Sequence, residues 1–176
     1  MTSLLTTALV AASMLSAPIE PLSVSAKFNG EAIDIRWFPP PPSERGERRA
    51  YRVERIDSSG AVLTLTHIPL QAVLNIARVR DRLGSFADTF IGTLTSGSKA
   101  EIFNEDLLNE ALSSPVSRGL IMRFAVIYPE VAGLLGWRHV DQDLQPGQTY
   151  TYRVIAIELS GLGSERTLGE ARASAR

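Results

Sequence analysis

His67 and His139 are the only histidines in this chain of 176 residues. His139 stands two positions from Asp141, a spacing that puts both side chains on one face of a strand. An imidazole and a carboxylate so placed could share a proton or a metal ion. Two ligands fall short of the three or four that a zinc or transition-metal site requires, so a polar pair is the simpler expectation. The chain has no cysteine. That excludes disulfides, thiolate metal sites and a cysteine nucleophile. No G-x-S-x-G, H-E-x-x-H or phosphate-binding loop occurs. Gly161-Leu162-Gly163-Ser164 reads as a turn, because no Gly-rich run leads there into a helix. Glu105, Asp106 and Glu110 are spaced like a solvated helix face. No catalytic, cofactor-binding or metal-binding residue is therefore expected, and no enzyme activity.

Composition narrows the class further. Hydrophobic residues make up 44 % and charged residues 21 %, ordinary for a globular chain. A formal net charge of -1 gives no sign of a basic surface, so no nucleic-acid partner is expected. The length suits one domain, or one domain carrying a large insertion.

The elements that would position any surface read mostly as short strands. Residues 23–28 are closed by Asn29-Gly30, a turn dipeptide. Residues 32–37 alternate, with Ile33, Ile35 and Trp37 opposite Asp34 and Arg36. Pro39 to Pro42 then ends pairing, since proline has no N–H to donate. Tyr51 and Val53 stand opposite Arg52 and Glu54, and Ser58-Ser59-Gly60 turns the chain into residues 61–66. Late in the chain, Pro146-Gly147 feeds a run in which Tyr150, Tyr152, Val154 and Ala156 share one face. Strand, turn, strand at regular spacing argues for an antiparallel sandwich.

Several of these residues resemble the fibronectin type III family of immunoglobulin-like β-sandwiches. Pro21, Trp37 followed by Pro39 and Pro40, and Tyr51 match its early landmarks. The most specific match is the run Leu144, Pro146, Gly147, Tyr150, Tyr152, Val154 and Ala156, then the turn at Gly161, Gly163 and Ser164. The resemblance implies a core signature of Trp37, Tyr51, Leu144, Tyr150, Tyr152 and Val154, with Tyr150 at the tyrosine corner. It implies a fold and no catalytic residue. The expected architecture is mainly β: a fibronectin type III-like antiparallel β-sandwich from residues 20–66 and 137–173, with an α-helical segment inserted between the C′ region and the next strand.

Residues 67–136 are that insertion, and they change period. Leu70, Val73, Leu74 and Ala77 fall at helical spacing, and residues 86–91 continue so. Asn104 reads as an N-cap with Glu105 and Asp106 in the first turn. Ser114-Pro115 reads as a second start. Residues 120–128 are strongly apolar, Pro129 restarts the helix, and Gly136 reads as its C-cap. Three or four helices are predicted. Helices this apolar must bury their faces against each other, the sandwich or a partner. The candidate partner contacts are Phe86, Phe90, Ile91, Ile121, Met122, Phe124 and Tyr128.

Residues 1–19 carry no charged side chain, and Leu4 to Ala17 is apolar with Thr and Ser interspersed. A secretory signal peptide, a docked helix and a membrane anchor all stay open. Two functions from different classes follow. One is a non-catalytic structural subunit of a larger extracytoplasmic assembly, periplasmic or at the cell surface, with protein partners. The sandwich would be its rigid spacer, and the insertion or N-terminus its docking element. Membrane proximity follows if residues 1–19 anchor or dock. The other is a ligand-binding module, for glycan among others, with Trp137, Arg138 and Tyr128 in a groove between insertion and sandwich.

Overall fold

The computed structural model describes residues 24–42, 48–95, 104–159 and 163–176. The apolar segment 1–19, the landmark Pro21 and the Gly161-Leu162 part of the late turn lie outside them. Among the described residues, seven strands form two antiparallel sheets: β1 Val24–Phe28, β2 Ile33–Trp37, β3 Arg49–Ile56, β4 Val62–Thr64, β5 Arg138–Asp141, β6 Thr149–Glu158 and β7 Glu165–Ser174. One sheet has the order β1-β2-β5 and the other β4-β3-β6-β7.

Period-2 patterning explains how they face each other. Ile33, Ile35 and Trp37 of β2 are buried, as are Tyr150, Tyr152, Val154 and Ala156 of β6. Each fully buried side chain of this size contributes about 1.5–3 kcal/mol. The Trp37 ring packs at 5.7 Å from that of Tyr51 on the opposite sheet. Leu144 is partly buried against the same core. The Tyr150 hydroxyl accepts the Gln145 backbone N–H at 3.0 Å, tying the strand to the turn before it.

The described residues of the insertion hold five helices: α1 Ile76–Leu83, α2 Ala87–Leu94, α3 Glu105–Ser113, α4 Pro115–Ile127 and α5 Pro129–Leu134, with a 3₁₀ turn at Gly84–Phe86. Gly84 at positive φ divides α1 from α2, and Pro129 opens α5 as a separate helix, so the count exceeds the three or four predicted. Caps agree with the local chemistry. Asn104 accepts the Leu107 N–H at 3.0 Å, and Ser114 accepts the Ser117 N–H with Pro115 at the first helical position.

One helix starts later than its stripe suggests. Leu70 is extended, exchanging both backbone hydrogen bonds with Tyr51 at 2.8 Å, and helix begins at Ile76 behind the Asn75 cap. Those two bonds satisfy the groups that a helix from Leu70 would have used. Among the described residues helix and strand are equal shares, about 34 % each, so the expectation of a mainly β chain gives way to a mixed one. The cause is the insertion, whose helices match the strands residue for residue.

The insertion packs on its own sandwich. Leu70 exchanges both backbone hydrogen bonds with Tyr51 at 2.8 Å, and Arg36 donates to the carbonyl of Val126 at 2.9 Å. Gly136 sits where the chain returns. Its φ is +69°, and an added Cβ would lie 2.8 Å from the Gln71 backbone, so only glycine fits. Sandwich and insertion residues form one continuous apolar cluster.

Candidate interaction surface

Among the described residues, the Trp37 indole N–H is buried without a hydrogen-bond partner, while the buried carboxylate is well supplied. Asp141 is buried, and its carboxylate accepts from Arg55 Nη1 at 3.0 and 3.1 Å and from the Tyr152 hydroxyl at 2.9 Å. The Arg55 guanidinium also lies 4.9 Å from the centre of the Tyr150 ring. Burial, and then the bond to Asp141, pushes the Tyr152 phenol well above its ordinary range, so it stays a donor. His139 faces inward beside Ile35, and burial lowers its pKa while Asp141 opposes that shift. With Asp141 committed to Arg55 and Tyr152, the pair has structural work. Among the described residues, no group of three His, Cys, Asp or Glu side chains could hold a metal ion.

A second ionic cluster clasps insertion to sandwich. Asp34 accepts from Arg36 at 2.7 Å and from Arg138 at 2.7 Å. Arg36 also donates to the carbonyl of Val126 at 2.9 Å, near the end of α4. A cation at a helix C-terminus satisfies carbonyls that have no partner in the helix and meets the negative end of its dipole. The outer face of β2 thereby holds the end of α4 against the sandwich.

The seven residues named as partner contacts divide by depth. Phe90 and Ile121 are fully buried in the insertion and present no surface, which corrects their assignment as contacts. A helix face apolar at i, i+4 is the face its neighbours cover first. Phe86, Ile91, Met122 and Phe124 are partly buried against the same cluster. Phe86 meets Phe124 edge-on at 5.0 Å and stacks on Tyr128 at 4.3 Å. Tyr128 alone of the seven is exposed.

The groove residues do not assemble as expected either. Trp137 is 2 % exposed and packs edge-on to Phe38, because its backbone pairs with Trp37 and draws the ring under the insertion. Arg138 is bonded to Asp34. The seam between the two regions holds a cavity of about 30 Å³ lined by residues including Tyr51, Leu108, Leu135 and Trp137, room for water and not for a sugar.

What is exposed is the outward face of α4. Val116 is 74 % exposed, Leu120 42 %, Val126 56 % and Ile127 55 %. Val116, Leu120 and Ile127 recur at i, i+4 and i+11, one line along the helix, with exposed Arg123 between them. Ile121 and Ala125 on the opposite side are buried. The sequence carried a signal for this face: residues 120–128 are apolar except for Arg123, and a helix packed on one side only must leave some of that outside. A smaller apolar patch, Val62, Leu63 and Ile68, lies at and just beyond edge strand β4.

No family model matches the chain, and no curated protein or solved structure matches it either. Among the described residues, no helix is long and apolar enough to cross a membrane.

Proposed function

We propose that this chain is a non-catalytic interaction subunit: a fibronectin type III-like sandwich serving as rigid spacer, and a helical insertion docking a protein partner in an extracytoplasmic assembly. The observation that carries the reading is the apolar outward face of α4, Val116, Leu120, Val126 and Ile127, on an insertion whose inner faces are already filled. Soluble surfaces scatter single apolar residues; a line of them along one helix marks an interaction site. The clasp from Arg36 to the Val126 carbonyl holds that face at a set angle to the sandwich, as a spacer requires. Two packed antiparallel sheets, the Trp37 ring and the Tyr150–Gln145 bond support the sandwich assignment.

Native purification from host membranes in mild detergent, with mass spectrometry of everything retained, tests this. Stoichiometric protein partners are expected, lost when Leu120→Glu and Ile127→Glu are introduced together. Recovery as a lone monomer would overturn the reading. Both substitutions lie on exposed positions, where folding tolerates change within about 0.5 kcal/mol, so loss of partner would report the face and not misfolding.

A further inference from the structure

Among the described residues the two sheets have four edge strands, and one differs from the rest. β1 carries Lys27, β5 carries Arg138 and Asp141, and β7 carries Arg166 and Arg172. Charges on an edge strand keep a second chain from adding to it. β4 carries none. Its stretch of chain, Ala61-Val62-Leu63-Thr64-Leu65-Thr66, is neutral, free of proline and rich in strand-forming types. Val62 and Leu63 are exposed there.

The ladder to β3 fixes which backbone groups are left over. Asp57 N–H donates to Ala61 O at 3.1 Å, and Leu65 N–H to Val53 O at 2.9 Å. Leu63 stands opposite Arg55, midway between those two pairs. Hydrogen-bonded positions alternate along an antiparallel ladder, so Ala61, Leu63 and Leu65 bond inward to β3. The N–H and C=O of Val62 and Thr64 therefore point away from the sheet. No described strand pairs with them on that side. A row of outward donors and acceptors at this spacing fits an added extended strand.

We propose that this strand is the β4 of a second copy, joined antiparallel about a twofold axis at Leu63. Val62 then meets Thr64 of the second copy, Thr64 meets its Val62, and Leu63 meets its Leu63. The register suits the backbone: each outer pair exchanges two hydrogen bonds, and the central pair is the close, non-hydrogen-bonded kind. The edge is thus complementary to itself, as a twofold interface requires. Charge permits the join. The nearest charges, Glu54 and Arg55 one strand in, are already held by Arg52 and Asp141. A three-residue join buries far less than the roughly 1,200 Å² of a stable complex, so it is weak in dilute solution and forms where copies are held close together. It is a contact separate from the α4 face and does not rest on that face.

The absence of cysteine makes the test direct, since any introduced thiol is unique. Oxidation of concentrated full-length Leu63→Cys protein in mild detergent should give a disulfide-linked dimer, because a non-hydrogen-bonded pair holds its Cα atoms about 4.5 Å apart. Ala61→Cys should link roughly tenfold slower or worse, since the same axis sets its two copies about 14 Å apart along the strands. Val62→Pro removes an outward N–H and leaves the inward ladder, so it should slow Leu63→Cys linkage with unchanged circular dichroism. Thr64→Lys puts a charge on the edge and should do the same. No linked dimer, equal rates at positions 61 and 63, or full linkage in both edge variants would each overturn the proposal. Linkage abolished by Leu120→Glu with Ile127→Glu would show the copies meeting through α4, and would overturn it too. Linkage of Leu63→Cys to a different protein only would assign the edge to that partner's strand and overturn self-pairing.

Discussion

The sandwich and the insertion satisfy their residues by different means. In the sandwich, β2, β3 and β6 turn one apolar face inward, and outer-face charges pair across strands, as Arg52–Glu165 and Arg153–Glu170 do. Its one buried carboxylate, Asp141, has every partner it needs. In the insertion, α4 is apolar on both sides, and only one side is covered by its neighbours. Its polar contacts are sparse: Arg80 and Asp88 meet at 3.5 Å, both largely exposed. The sandwich leaves a small apolar patch open at its β4 edge, while the insertion leaves an apolar line along α4. The proposed docking role rests on that difference.

That contrast can be broken most forcefully at Trp37. Trp37→Ala empties the centre of the sandwich and should cost about 4 kcal/mol. The apolar cluster is continuous across both regions, so the helical circular dichroism signal should melt in the same urea transition as the sheet. A helical transition left at its original midpoint would show two independent units. The next largest effect belongs to the buried carboxylate. Asp141→Ala leaves Arg55 and the Tyr152 hydroxyl without their partner, at about 3 kcal/mol, read from the shift in urea midpoint at constant slope.

At the junction, Gly136→Ala forces a side chain into positive φ and against the Gln71 backbone. About 2 kcal/mol is expected, and hydrogen exchange should show faster opening of α5 than of β6. If β6 opened equally, the junction would not divide the regions at all. Within the insertion, Asn104→Ala removes the cap of α3 and should cost about 1 kcal/mol by thermal melting.

The smallest effect is a pH slope. Burial holds the folded pKa of His139 below the ordinary imidazole value of about 6.5. As pH falls through that value, the unfolded chain takes a proton that the folded chain refuses. Stability from His139 is therefore present above about 6.5 and declines below it, until the folded pKa is reached. His139→Gln should flatten the slope between about pH 7 and 5 in urea midpoints. Glu105 acts in a lower window with opposite sign. Burial raises its carboxyl despite Arg48, so its contribution falls as pH rises through the carboxylate range.

Local chemistry made much of this legible in the residues. Asn104, Ser114-Pro115 and Pro129 mark helix starts because capping and proline stereochemistry act within a single turn. Leu70 shows the limit. Its helical spacing was real, but two backbone bonds to Tyr51, nineteen positions away, held it extended. Trp137 shows the same limit at the surface, where an exposed-looking aromatic was drawn under the insertion by its bond to Trp37.

By itself the sequence determined where most strands and helices lie, where most of them begin, and that no disulfide can form. Periodicity, caps and the lack of cysteine are properties of near neighbours and of composition. Tertiary structure alone decided which side of α4 is covered, which aromatics are interior, and that Asp141 belongs to Arg55 and Tyr152 instead of to His139. Those outcomes depend on contacts between residues far apart in the chain, and a helix apolar on both sides carries no local mark of the side its neighbours will take.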